Sequence, residues 1–180
     1  MNIKTIIKKI FGIGPETNED YRKRGVKLGE NVALVDCNLD YSHGYLIEIG
    51  NDVCLSHVTL LSHDASVKWL KDGLDHVKVG RIKIGNNVFV GCNSVILPGT
   101  TIGNNVLIGA GSVVKGVVPD NVVMSGNPLK LLCSTDEYMK KNRAKFAEGP
   151  VYNTDFSTIT KEQINKMNLE LADGKIGFDL

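Results

Sequence analysis

Ile84-Gly-Asn-Asn-Val-Phe, Val90-Gly-Cys-Asn-Ser-Val, Ile96-Leu-Pro-Gly-Thr-Thr, Ile102-Gly-Asn-Asn-Val-Leu, Ile108-Gly-Ala-Gly-Ser-Val is one pattern repeated every six residues. An aliphatic residue returns at the first position (Ile84, Val90, Ile96, Ile102, Ile108, Val114), and a small or β-branched residue four later (Val88, Ser94, Thr100, Val106, Ser112). Helices repeat every 3.6 residues and strands every 2, so neither asks for this spacing. Six residues at about 3.3 Å each make one short strand and one corner, and Gly or Asn at the second to fourth positions supplies the φ > 0 turn. Three such sides close one coil of a prism. The repeat therefore reads as a parallel β-helix, in which a coil buries its apolar row only by stacking on its neighbours.

The same pattern stands upstream in Ile49-Gly-Asn-Asp-Val-Cys, Leu55-Ser-His-Val-Thr-Leu and Leu61-Ser-His-Asp-Ala-Ser. Ile49 and Ile84 are 35 positions apart, which is not a multiple of six, so a loop over residues 65–83 must leave the prism. Val26-Lys-Leu-Gly-Glu-Asn-Val carries the same punctuation more weakly, which starts the coils near residue 26. After Ser125-Gly-Asn-Pro the repeat stops. Ser134-Thr-Asp-Glu137 reads as a capping box opening a helix to about residue 147, and Thr160-Lys-Glu-Gln163 as a second one. The expected organisation is all-β with short helical segments at both ends: residues 1–25 as a capping segment, 26–132 as the prism, and 133–180 as a helical appendage.

A chain of 180 residues fits one domain, and a net charge of +1 gives no general attraction to nucleic acid. No stretch approaches the ~20 apolar residues that cross a bilayer. Ile3, Ile6, Ile7 and Ile10 fall at helical spacing opposite Lys4 and Lys8. That short amphipathic helix is expected to cap the open end of the prism, with contact at a membrane surface the less favoured alternative. Lys8 and Lys9 interrupt the apolar run a secretory signal needs, and Cys37, Cys54, Cys92 and Cys133 show no CxxC spacing. Both point to a cytoplasmic protein with reduced thiols.

The hexads, the run Ile108-Gly-Ala-Gly-Ser-Val-Val and Gly126-Asn-Pro128 resemble the hexapeptide-repeat acyltransferases, most closely the sugar and xenobiotic O-acetyltransferase branch. The resemblance covers roughly residues 26–132. It implies a left-handed β-helix, an exception to the usual right-handed crossover, assembled as a homotrimer with acetyl-CoA bound between neighbouring prisms. A thioester is already activated, so the chemistry needs one general base to relieve an alcohol of its proton, and imidazole suits neutral pH. Of His43, His57, His63 and His76, the resemblance selects His63, which stands where the hexads break into the loop and from which the family's catalytic histidine faces the cleft between subunits.

The group that orients His63 is open at this level. Asp64 is adjacent, yet neighbouring strand residues face opposite sides, and Asp72, Asp75, Glu48 or a main-chain carbonyl are alternatives. Asp64 and Trp69, the one tryptophan, are candidate substrate contacts. For the acyl donor the resemblance transfers to Gly91, Cys92 and Ala110 along the pantetheine arm, to Phe89 near the acetyl end, and to Lys115 and Lys130 at the adenosine phosphates. Where many members read Val-Val-Thr-Lys-Asp-Val-Pro, this chain has Val113-Val-Lys-Gly-Val-Val-Pro119, leaving Gly116 at one expected lysine position.

The acceptor expected from the resemblance is a saccharide hydroxyl, as in a polysaccharide precursor, with a xenobiotic alcohol second. Two readings from other classes use the same prism: a gamma carbonic anhydrase-like metalloprotein, for which histidines would have to converge, and a non-catalytic scaffold.

Overall fold

The computed structural model describes residues 16–180 apart from Phe156. The amphipathic stretch with Ile3 to Ile10 lies outside the described residues. Backbone contacts divide the chain into two compact units that meet at Thr135/Asp136.

The first unit is a left-handed parallel β-helix with three sheets. One sheet stacks, in order, Lys27–Leu28, Ile47–Ile49, Ile82–Ile84, Thr101–Ile102 and Val117–Val118. The second stacks Val32–Val35, Val53–Ser56, Val88–Val90, Val106–Ile108 and Val122–Ser125, and the third Asn38–Leu39, Thr59–Leu60, Val95–Ile96 and Val113–Val114. All these pairings are parallel and in register, for example Ile49 on Ile84 and Ile84 on Ile102. The repeat thus places each aliphatic residue directly above its equivalent. Leu39, Leu60, Ile96 and Val114 make one buried column, Ile49, Ile84, Ile102 and Val118 another.

The corners explain the rest of the hexad. Asn31, Asp52, Asn87, Asn105 and Asn121 have positive φ, the left-handed conformation that Asn and Asp tolerate better than other side-chained residues. Their side chains link successive coils, Asn31 to Asp52, Asn87 to Asn105 and Asn105 to Asn121, at 2.8–2.9 Å. A parallel ladder runs from Asn51 through Asn86 and Asn104 to Asp120, accepting backbone N–H groups. Gly85 is needed for a different reason: a Cβ there would stand 2.5 Å from the Gly103 carbonyl oxygen of the next coil. Buried hydroxyls at other corners are satisfied locally, Thr100 Oγ1 donating to Leu97 O at 2.6 Å and Ser112 Oγ to Gly109 O at 2.5 Å.

The ladder also measures the coils. Its steps are 18 residues from Asn86 to Asn104, 21 from Asn31 to Asp52 and 35 from Asn51 to Asn86. The longest step contains the expected excursion, which is more structured and shorter than a loop over 65–83. His63–Asp64 pairs antiparallel with Lys78–Val79, a helical turn at Ser66–Trp69 lies between them, and the chain is back in the prism by Ile82. The step of 21 carries a shorter insertion, the turn through Tyr41 to a 3-10 segment at Gly44–Leu46.

Among the described residues the first element is a helix at Asn18–Lys23, begun by a capping box between Thr17 and Asp20; its Tyr21 is buried, donating from Oη to the Cys37 carbonyl at 2.7 Å. At the far end Lys130–Ser134 adds an antiparallel strand to Val122–Ser125, across the expected boundary between prism and appendage at residues 132 and 133. In the second unit the helices Thr135–Glu148 and Lys161–Glu170 stand where the capping boxes put them, and Thr160 and Gln163 make the box reciprocally. Cys37, Cys54, Cys92 and Cys133 are free thiols. Among the described residues no helix is long and apolar enough to cross a membrane.

Truncating one rung should cost what a core cavity costs. Ile102→Ala is expected to lose about 2–5 kcal/mol by urea unfolding. At a corner, Asn87→Val should lose about 1–2 kcal/mol against Asn87→Gly, because only the β-branched residue resists positive φ.

Candidate active site

Asp40 ends the lowest strand of the third sheet, and its carboxylate is fully buried. Oδ1 accepts from the backbone N–H groups of Ser42 at 3.0 Å and His43 at 3.1 Å. Oδ2 accepts from Ser62 N at 3.1 Å and Ser62 Oγ at 2.8 Å, and meets His63 Nδ1 at 2.5 Å. Burial alone would raise this carboxyl, but the hydrogen bonds from His63, Ser62 and His43 outweigh it and hold Asp40 well below the usual carboxylate range. An ionised Asp40 only accepts, so the Nδ1 of His63 carries the proton and Nε2 is left as the acceptor. His63 is half-buried, with its side chain 35% exposed.

The imidazole opens into a cleft of about 740 Å³ lined by Leu61, His63, Asp64, Lys78, Pro98 and Lys115, among others. These residues lie on one edge of the prism, at the corners that follow the third sheet in three successive coils. Asp64 is at the rim but not on His63. Its carboxylate is ion-paired with Lys78 and accepts the Ser66 N–H at 2.8 Å, and these contacts, Lys78 foremost, hold it well below the usual range. Asp75 faces Lys68 at 3.7 Å and Glu48 faces Arg81 at 3.7 Å, so neither orients the histidine. Asp40 fills that role, which none of the sequence candidates did.

Gly91, Cys92 and Ala110 cluster on a different edge, the corner that follows the second sheet. Gly91 N–H donates to Ile108 O at 2.8 Å, and a Cβ on Gly91 would stand 2.6 Å from Ala110 N. Phe89 points outward from the adjoining strand, about half exposed. His57 is on this edge too, facing Asp36 at 3.7 Å. Of the donor-side candidates, then, the chain brings only Lys115 to His63. Lys130 is exposed on the antiparallel strand, and Trp69, 83% exposed, does not line the cleft.

Donor atoms of Asp40, His43 and His63 all lie within 4.8 Å of one another. The 2.5 Å contact between His63 and Asp40 nevertheless describes a hydrogen bond, since two ligands on a tetrahedral zinc stand roughly 3.3 Å apart. His57, on the other edge, does not join them.

The expected effect of Asp40 on stability follows from its depressed carboxyl. The contribution should be complete above about pH 4, the unfolded range, and drain away as pH falls below it. Comparing urea midpoints of wild type and Asp40→Asn between pH 7 and pH 3 should show a gap that narrows on acidification. A constant gap would mean that the charge is not what the donors hold.

Residues 81–116 match the family model for the bacterial transferase hexapeptide, described as six repeats. Staphylococcus aureus protein CapG is 47% identical over 129 residues, which cover 69% of this chain and 75% of that protein. Among solved structures, a maltose O-acetyltransferase from Clostridium difficile 630 superposes with a TM-score of 0.50 at 26% identity, over 72% of this chain and 83% of the other. A galactoside acetyltransferase in complex with coenzyme A does so with a TM-score of 0.51 at 26% identity, over 76% and 80%. With its stacked hexads and this extent of similarity, the chain belongs to the hexapeptide-repeat acyltransferase family.

Proposed function

We propose that this protein is an acetyl-CoA-dependent O-acetyltransferase that acylates a hydroxyl of a sugar or polysaccharide precursor, with His63 as the general base. The observation that carries the reading is the His63–Asp40 pair opening into the cleft. In the family, one solved relative is named for maltose and another, named for galactoside, is bound to coenzyme A, which supports both the donor and the acceptor class.

His63 Nε2 takes the acceptor's hydroxyl proton as the oxygen forms its bond to the thioester carbonyl carbon. Asp40, ionised and immobile, balances the imidazolium and keeps Nδ1 from rotating away. As the carbon–sulfur bond breaks, His63 returns the proton to the leaving thiolate, so ester and free thiol form without an acyl-enzyme. Lys115 is positioned, one coil beyond Pro98 on the same edge, to meet the donor's phosphates.

The small residues suited to the pantetheine arm, Gly91, Cys92 and Ala110, are on the other edge. A site needing both edges is completed by a second copy of the chain, which supports a homotrimer with a shared cleft at each interface.

Acetyl-CoA at 100 times its dissociation constant should stabilise the native state by about 2.7 kcal/mol, seen as a higher melting temperature. His63→Ala should keep that shift while losing about 10²–10⁴ in turnover on a saccharide acceptor. No shift at millimolar acetyl-CoA sinks the donor assignment, and wild-type turnover in His63→Ala sinks the base. Size exclusion with light scattering should give three copies per particle.

A further inference from the structure

His43 is not needed by the mechanism as derived, yet it stands inside it. Its ring centroid is 5.2 Å from that of His63, with the planes tilted by 42°. Its Nδ1 is 3.8 Å from Asp40 Oδ1, the oxygen that His63 does not use. That nitrogen is buried and has no hydrogen-bond partner among the described residues. A buried polar atom without a partner is costly, and one that faces an ionised carboxylate is rarely left so throughout a working cycle. A movement of about 0.8 Å would bring it to hydrogen-bond distance.

The surroundings fix the backbone that carries the ring. His43 N–H donates to Asp40 Oδ1, and the His43 carbonyl accepts from Ser62 Oγ at 3.1 Å, the same hydroxyl that reaches Asp40 Oδ2. The next residue, Gly44, is buried so tightly that a Cβ would stand 2.8 Å from the Arg24 carbonyl oxygen. The titratable and charged groups around His43 are Asp40, His63 and the Tyr45 ring at 5.9 Å; on the helix behind the turn, Arg24 is already paired with Glu16 at 2.9 Å.

We propose that His43 is a positioning residue that shares Asp40 with His63, one imidazole to each carboxylate oxygen, so that both oxygens are held. The proposal rests on the acyl-transfer reading for its kinetic consequence but not for its geometry. His43 closes onto Oδ1 while His63 holds Oδ2. Asp40, held from both sides, cannot swing off Nδ1 during turnover.

Two substitutions in the full-length protein separate this from a packing role. His43→Leu removes the donor, and His43→Asn keeps a donor near the Nδ1 position that cannot titrate. His43→Leu should lower kcat about 10–100-fold with little change in KM for acetyl-CoA. His43→Asn should recover most of that at pH 8. In ¹⁵N-labelled protein, the Nδ1–H resonance of His63 should move in both variants. Wild-type kcat and resonance in the His43 variants, with only a lower melting temperature, would overturn the proposal. If the wild-type protein transfers no acetyl group, the resonance alone decides, so loss of the acyl-transfer reading and loss of this one remain distinguishable.

Discussion

An aliphatic row that no single coil can bury commits every coil to its neighbours. Ile49, Ile84 and Ile102 are each shielded above and below by an equivalent residue, with Leu28 and Val118 at the two ends of the column, and the strands that hold them are only two to three residues long. The parallel hydrogen bonds run between coils rather than within them, so register is set by side-chain stacking and by the asparagine ladders together. A shift of one residue would turn the buried column outward on every face. The strands themselves are too short to persist alone.

That strictness confines chemistry to the places where the repeat is broken. A perfect coil offers only outward side chains and tight corners. The two insertions, at residues 41–46 and within 63–80, lie in adjacent coils, and the paired groups of the site stand at or in them: Asp40 directly before one and His43 inside it, His63 and Lys78 in the other. The stacked coils hold these two irregular segments against each other, which is why a carboxylate in one can collect five donors without a helix or a long strand to support it.

Much of this architecture was legible in the sequence because corner and core positions are chemically distinct, Gly and Asn at one and Ile and Val at the other. The starts of the helices at Thr135 and Lys161 were legible in the same way. Asp40 was not, because the coil that carries it is 21 residues long, and a search at period six or eighteen places it opposite nothing. The register of Leu39 on Leu60 brings Asp40 beside Ser62 and His63, but that register is a consequence of the insertion rather than of the repeat. Asp64 was attractive only by adjacency; the strand pairing of His63–Asp64 turns it toward Lys78 instead. Lys130–Ser134 escaped notice because its exposed leucines show no alternation that would mark a half-buried strand.

Stacked repeats come apart from their ends inward, each terminal coil being held on one side only. Among the described residues, Lys27–Leu28 and Val32–Val35 are such edges, and Asp40 follows them within the same coil. What ties that coil down is the short helix before it, through the buried Tyr21 and its hydrogen bond to the Cys37 carbonyl, three residues from Asp40. Fraying of this coil would take the carboxylate away from His63 while the remaining coils stayed folded. On heating, loss of the ordered base would therefore precede loss of the β-sheet signal, and the temperature at which the protein stops working would be set by one tyrosine hydroxyl near the start of the prism rather than by its apolar column.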